Sequence, residues 1–242
     1  MTRVKALPKE HRKEPYGIFL STLAIALILL CLVASHWQYQ RGVDRHANNA
    51  LIASHVSQPP VMIASVIKNL TVAQWRQTTV QGAFDSSNQI LLRNRYFEGK
   101  YGFDLLTLFH EKSGLTFWID RGWIPPGFNA STPPTLPPTI SATVTITGRV
   151  RLDYSLPQGS FFAIPSGKNG KLIPQWNAQS KVTYDTENFY LDLLTVSDAS
   201  MAPEVPVELP ELTDGPHMAY ALQWIFFAGL IFYARILLRR SR

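Results

Sequence analysis

Two histidines hold the positions at which this sequence could do chemistry. His36 stands at the end of the apolar run Tyr16–Trp37, and His217 opens a second run, His217–Leu238. A neutral imidazole is a good ligand for a haem iron or another transition metal. If the runs are antiparallel membrane helices, both rings reach one leaflet, where the pair could hold an iron. The competing reading is that each ring, at a helix end, simply hydrogen-bonds to water or lipid headgroups. Elsewhere the patterns of catalysis are missing from the sequence: no phosphate loop, no GxGxxG, no GxSxG, no HExxH, and no HxE paired with CxxC. Asp85, Asp104, Asp120 and Asp192 fall in or near predicted strands, and nothing in their spacing pairs any two as acid and base. Solvation or a local hydrogen bond is the expected fate of each. The single cysteine, Cys31, lies inside the first apolar run. The sequence therefore offers no disulfide, no redox dithiol and no thiolate metal site.

Positioning those histidines falls to the two apolar runs. Each has 22 residues, about 33 Å of helix against a hydrocarbon core of about 30 Å. Basic residues crowd beside them: Arg3, Lys5, Lys9, Arg12 and Lys13 before the first, Arg235, Arg239, Arg240 and Arg242 at the end of the second. Those nine exceed the whole net charge of +6, and the remaining 14 Lys and Arg meet 15 acidic residues. The middle of the chain is thus nearly neutral, which argues against a nucleic-acid surface. The flanking charge follows the positive-inside rule. The expected organisation is a cytoplasmic tail 1–15, a transmembrane helix 16–37, an extracytoplasmic domain 38–216, a second transmembrane helix 217–238 and a cytoplasmic tail 239–242, multi-pass in a lipid bilayer. A cleaved signal peptide is the alternative for the first run, with Val33-Ala34-Ser35 as a passable cleavage site. Its length and the second, basic-flanked span favour an uncleaved anchor. No Arg- and Ser-rich transit sequence precedes it, which points to a bacterial plasma membrane.

Between the runs the pattern changes. Gln38–Ser57 reads as a polar continuation of the first helix, ending ahead of Pro59-Pro60. Strand composition marks Trp75–Phe84, Gln89–Tyr96, Val144–Leu152 and Phe189–Thr195. Gly102–His110 and Leu115–Arg121 form the clearest unit, a hairpin across Glu111–Gly114. Pro125–Pro138 contains six prolines and must be an irregular connection. Leu156–Lys181 reads as loop with a possible short helix. The expected fold is a mainly antiparallel β domain, curled or closed into a small barrel with short helices, carried between two transmembrane helices.

Several segments together carry a family resemblance. They are Trp37-Gln38, Val80-Gln-Gly82-Ala-Phe84, Gly102–Phe109, Ile119-Asp-Arg121-Gly122-Trp123-Ile-Pro125, Gly148-Arg-Val150-Arg151, Phe189-Tyr-Leu-Asp192 and His217-Met-Ala-Tyr220-Ala-Leu-Gln-Trp224. In this order, between two flanking spans, the chain resembles the Surfeit locus one family of cytochrome c oxidase assembly factors over nearly its whole length. The resemblance implies a non-enzymatic chaperone that binds haem a and assists its delivery to oxidase subunit I, with haem A synthase as a further partner. It places the haem ligand at His217, with His36 a weaker candidate for a second ligand. Tyr220 and Trp224 lie three and seven residues after His217 on one helical face and could line the same groove; packing between the spans is the alternative. A scaffold that binds oxidase subunits without haem is the other role compatible with the resemblance. The chain departs from the family pattern in the proline-rich 125–138 and in Asp214-Gly215-Pro216 before His217.

Overall fold

The computed structural model describes residues 15–128, 133–152 and 172–240. Residues 1–14 of the expected basic tail, 129–132 of the proline-rich connection and 156–171 of the expected loop lie outside the described residues. In chain order the elements are α1 (Gly17–Val56), β1 (Val61–Met62), α2 (Ile63–Lys68), α3 (Leu70–Ala73), β2 (Gln77–Phe97), β3 (Lys100–Glu111), β4 (Thr116–Ile124), β5 (Val144–Leu152), α4 (Ile173–Gln179), β6 (Phe189–Val196) and α5 (His217–Arg240). They divide into two compact units. One is a helix pair drawn from the chain up to Leu51 and from Leu212 onward, and the other is a sheet domain, Ile52–Glu211.

Both expected spans are helical, and each is long and apolar enough to cross a membrane. α1 continues through its polar stretch and stops ahead of Pro59-Pro60, because the residue before a proline avoids the helical region. α5 begins at His217, and Pro216 supplies the first helical acceptor, its carbonyl taking the Tyr220 N–H at 3.0 Å. The two helices run antiparallel along a seam of small residues. Ala24, Cys31 and Ser35 of α1 and Ala221 and Ala228 of α5 are buried there, and small side chains let backbones approach closely. Ser35 Oγ donates to the Ala221 carbonyl at 2.8 Å. At the other end, Arg235 donates to Ser21 Oγ at 2.8 Å and to the Gly17 carbonyl at 2.9 Å. Arg235 is therefore tied to the first turns of α1.

The sheet domain departs from expectation in one respect with a geometrical cause. Its sheet is mixed rather than antiparallel: β4 pairs with β6 in parallel, as does the short β1 with β2. The pairings of the five long strands return on themselves, β2–β3–β4–β6–β5 and back to β2. An odd number of strands cannot alternate direction all the way round such a circuit, so one neighbouring pair must be parallel. That pair is β4–β6. It is short, joining Trp118 to Tyr190, Ile119 to Leu191 and Asp120 to Asp192. The two strands expected at 75–84 and 89–96 are one long strand, β2. It pairs with β5 over Gln77–Gly82 and with β3 from Gly82 onward. Gly82 is required where the partners change, because a Cβ there would sit 2.2 Å from the His110 carbonyl oxygen and 2.6 Å from the Phe109 ring. The expected hairpin is present, closed by the Gly114 N–H on the Glu111 carbonyl.

Alternation along the strands gives the sheet two buried faces. One holds Phe84, Phe109, Phe117, Ile119, Ile146 and Leu191. The other holds Leu106, Leu108, Trp118 and Tyr190 under Ile173 and Trp176 of α4. Trp118 Nε1 donates to Asn177 Oδ1 of that helix at 2.8 Å, so the indole is buried without losing its hydrogen bond.

Candidate functional site

The residues named from sequence gather on the helix pair. His217 is half-buried in the first turn of α5, and its Nδ1 lies 2.9 Å from Gln38 Oε1 of α1. Just beyond, α1 fixes the segment leading into α5. Arg45 Nε donates to the Thr213 carbonyl at 2.6 Å, His46 Nδ1 lies 2.9 Å from Asp214 Oδ2, and Asn49 Nδ2 donates to Asp214 Oδ1. Asp214-Gly215-Pro216, the departure from the family pattern, is thus the segment by which α5 is tethered to α1. Gly42 lies close against α5: a methyl there would meet Met218 Cε at 3.2 Å and His217 Cβ at 3.4 Å.

The other candidates are placed differently. His36 is exposed; it follows Ser35 of the seam and so turns about 100° away from it. Tyr220 is exposed as well, whereas Trp224 is half-buried and stacks edge-on with Phe227 at 5.8 Å. The helix pair therefore engages His217 with Gln38 and sets Trp224 on the His217 and Ala221 face. Sequence reasoning gave Gln38 no role; the available signal was its position beside Trp37 at the end of the first span.

An oxygen-bearing partner on Nδ1 decides what the ring can do. Oε1 only accepts, so a neutral ring making this contact would carry its proton on Nδ1 and keep its lone pair on Nε2. Among the described residues no hydrogen bond occupies Nε2. Nε2 could hold a haem iron, for which an imidazole nitrogen backed by an outer hydrogen bond is a suitable donor.

The sheet domain holds a second polar constellation, which the sequence did not announce. Asp85 behaves as expected, its carboxylate accepting from the Ser87 amide and Asn88 Nδ2. Asp104, Asp120 and Asp192 instead converge. Register sets Asp120 beside Asp192 across β4 and β6, and Asp192 beside Arg149 across β6 and β5. Asp120 and Asp192 are buried, and Asp104 is half-buried. Asp192 Oδ2 accepts from Arg149 Nε at 2.9 Å, Arg149 Nη2 at 2.8 Å and Arg151 Nη1 at 2.9 Å. Arg149 Nη2 also donates to the Val207 carbonyl. The Arg151 guanidinium lies 4.0 Å over the Trp75 ring. Arg95 Nε meets Asp104 Oδ2 at 2.7 Å.

Burial pushes the Asp120 carboxyl well above its usual range, reinforced by the charges of Asp104 and Asp192 and opposed by the Gly122 amide on its Oδ1. Burial also raises Asp104, to about 6, against the opposing charge of Arg95 and with that of Asp192. An ion pair with a raised carboxyl pKa is no contradiction, because desolvation and two neighbouring acids outweigh one guanidinium. Asp104 lines a groove of about 140 Å³ with Arg95, Tyr96, Phe97, Trp123 and the strip Val205–Glu208. That volume is small beside the few hundred Å³ of ordinary ligand pockets. With an arginine beside Asp104 and two on Asp192, the acids bind strands to one another rather than forming an acid–base pair.

A pH effect follows. Asp104 in the folded chain titrates near 6, above its unfolded value of about 3.9, so the folded state takes up a proton first as pH falls. Its contribution to stability is greatest below about pH 4 and declines as pH rises to about 6, by up to about 3 kcal/mol. Asp104→Asn is expected to remove that slope from the denaturation midpoint measured between pH 4 and 7 and to raise the midpoint at pH 7. An unchanged slope in the variant would show that Asp104 titrates normally.

The stretch Arg121-Gly122-Trp123 is now explicable. Arg121 is buried over the Phe84 ring, and burial lowers its pKa to about 10. It donates to the Pro138 carbonyl at 2.9 Å and to Thr139 Oγ1 at 2.7 Å, so it clamps the end of the proline-rich connection. Gly122 has φ +94°, and a Cβ there would lie 2.2 Å from the Val205 carbonyl oxygen. The same carbonyl accepts the Trp123 amide at 2.9 Å.

Comparison with known proteins agrees with this anatomy. The family model described as "SURF1 family" matches residues 25–229. Among similar proteins are uncharacterised SURF1-like proteins of Mycobacterium bovis and Mycobacterium tuberculosis. Each is 27% identical over 246 residues, covering 94% of this chain and 87% of the relative. The matched span takes in Gln38, the sheet domain and the His217–Trp224 turn alike: this chain belongs to the SURF1 family.

Proposed function

We propose that this chain is an assembly factor for a haem-copper cytochrome c oxidase, which binds haem a through His217 and assists its delivery to oxidase subunit I. Family membership supports the oxidase-assembly role. The observation that supports the haem step is the His217 ring, with Nδ1 engaged by Gln38 and Nε2 left with its lone pair. Trp224, on the same helical face, would border the porphyrin. α1 and α5 cross a bacterial plasma membrane with both termini in the cytoplasm, as the flanking basic residues favour. The sheet domain, taken as the small barrel that its circuit of pairings supports, is the extracytoplasmic surface for subunit I. Haem A synthase supplies the haem.

The test is a titration of the purified chain, in detergent, with haem a. The expected result is saturation at one haem per site with a shifted Soret band. If no stoichiometric haem binds while the protein still restores oxidase assembly, the chain is a scaffold and the haem step is wrong.

A further inference from the structure

We infer that Gln38 is a positioning residue for His217: its carboxamide oxygen keeps the proton on Nδ1, so that Nε2 is presented as a lone pair. The consequence for iron rests on the proposed ligation, whereas the tautomer is a property of the chain alone. The contact joins half-buried side chains on different helices, 2.9 Å apart. It is bracketed by two close helix contacts. Ser35, three residues earlier, donates to the Ala221 carbonyl, and Gly42, four residues later, admits Met218 and the His217 Cβ. The helices are thus held on both sides of Gln38, and its side chain meets the imidazole across a fixed gap.

Chemistry makes this geometry directional. An imidazole presents one donor and one acceptor when neutral, and the nitrogen facing an acceptor must be the donor. Outer partners of this kind fix the orientation of a ligating ring and raise its basicity, and their loss typically lowers metal affinity 10- to 100-fold. Two of the charged or titratable groups on the same stretch of α1, Arg45 and His46, are engaged with Thr213 and Asp214. Neither is hydrogen-bonded to His217 among the described residues.

The experiment uses the full chain in detergent, labelled with ¹⁵N-histidine, and reads the ring nitrogen shifts. The His217 signals are those that vanish in His217→Ala. Wild type is expected to show Nδ1 protonated and Nε2 unprotonated. Gln38→Glu, which keeps an acceptor at the same reach, is expected to preserve that pattern. Gln38→Leu, of similar volume without an acceptor, is expected to move proton population onto Nε2. With haem a, Gln38→Leu should bind about 10- to 100-fold more weakly and with a displaced midpoint potential, and Gln38→Glu should restore binding. A wild-type ring protonated on Nε2, or an unchanged pattern in Gln38→Leu, overturns the inference. If His217→Ala binds haem a as tightly as wild type, the ligation proposal fails instead, and the tautomer result is judged on the shifts alone.

Discussion

Replacing Asp192 with asparagine is expected to lower the stability of the sheet domain by about 3–5 kcal/mol, the usual cost of removing one partner from a buried ion pair. The size follows from the geometry. One carboxylate oxygen takes three N–H bonds from Arg149 and Arg151, and both guanidiniums are buried. Asparagine retains the shape and one acceptor but removes the negative charge that these three bonds place between the two guanidiniums. Against a typical total of 5–15 kcal/mol, that is a large fraction of the stability. Trp75, Trp118 and Trp176 are buried in the same domain, so their fluorescence reports its unfolding. Chemical denaturation of the two proteins in the same detergent measures the shift. A midpoint within error of wild type would mean that the three bonds contribute nothing net.

The second large effect is on ligand binding. On the proposed ligation, His217→Ala is expected to weaken haem a binding more than 100-fold, because loss of the ligating nitrogen must exceed the 10- to 100-fold typical of an outer partner. His36→Ala is expected to leave binding within a few fold, since His36 is exposed and turned from the seam that holds His217. Parallel titrations with the Soret band as readout separate the cases. Loss in both variants would favour the paired histidines considered from the sequence, while retention in both would remove haem from the helix pair.

Much of the frame was legible from sequence because membrane helices and hairpins announce themselves locally. Two long apolar runs, a four-residue turn with Gly114 and a proline pair after Ser57 were enough for α1, α5 and the β3–β4 hairpin. The parallel β4–β6 pairing was hidden because it depends on which strands become neighbours across the circuit, a non-local choice. The acid–arginine network was hidden for a different reason. Val144–Leu152 alternates in a way that reads as one dry and one wet face, yet Arg149 and Arg151 lie on a buried face. A signal was available in β4 and β6. Trp118 shares its face with Asp120, and Tyr190 shares its face with Asp192. A face carrying both a large aromatic and a carboxylate is seldom left to water. Gln38 was hidden because polar residues near a span end ordinarily meet solvent, and only the partner helix reveals its role.

The parity of the strand circuit has a consequence in time. β2, β3 and β4 follow one another closely and can pair early, since short loops close quickly. The circuit cannot be completed until β6, beginning at Phe189, arrives to join both β4 and β5. Until then β4 presents an unpaired edge, as does β5 once it has paired with β2, and such edges are sites of mispairing. Closure then rests on three residue pairs and on Asp192 meeting Arg149 and Arg151. The buried charges thus stand at the pairing that closes the circuit, where a wrong register would take Asp192 away from Arg149 and Arg151.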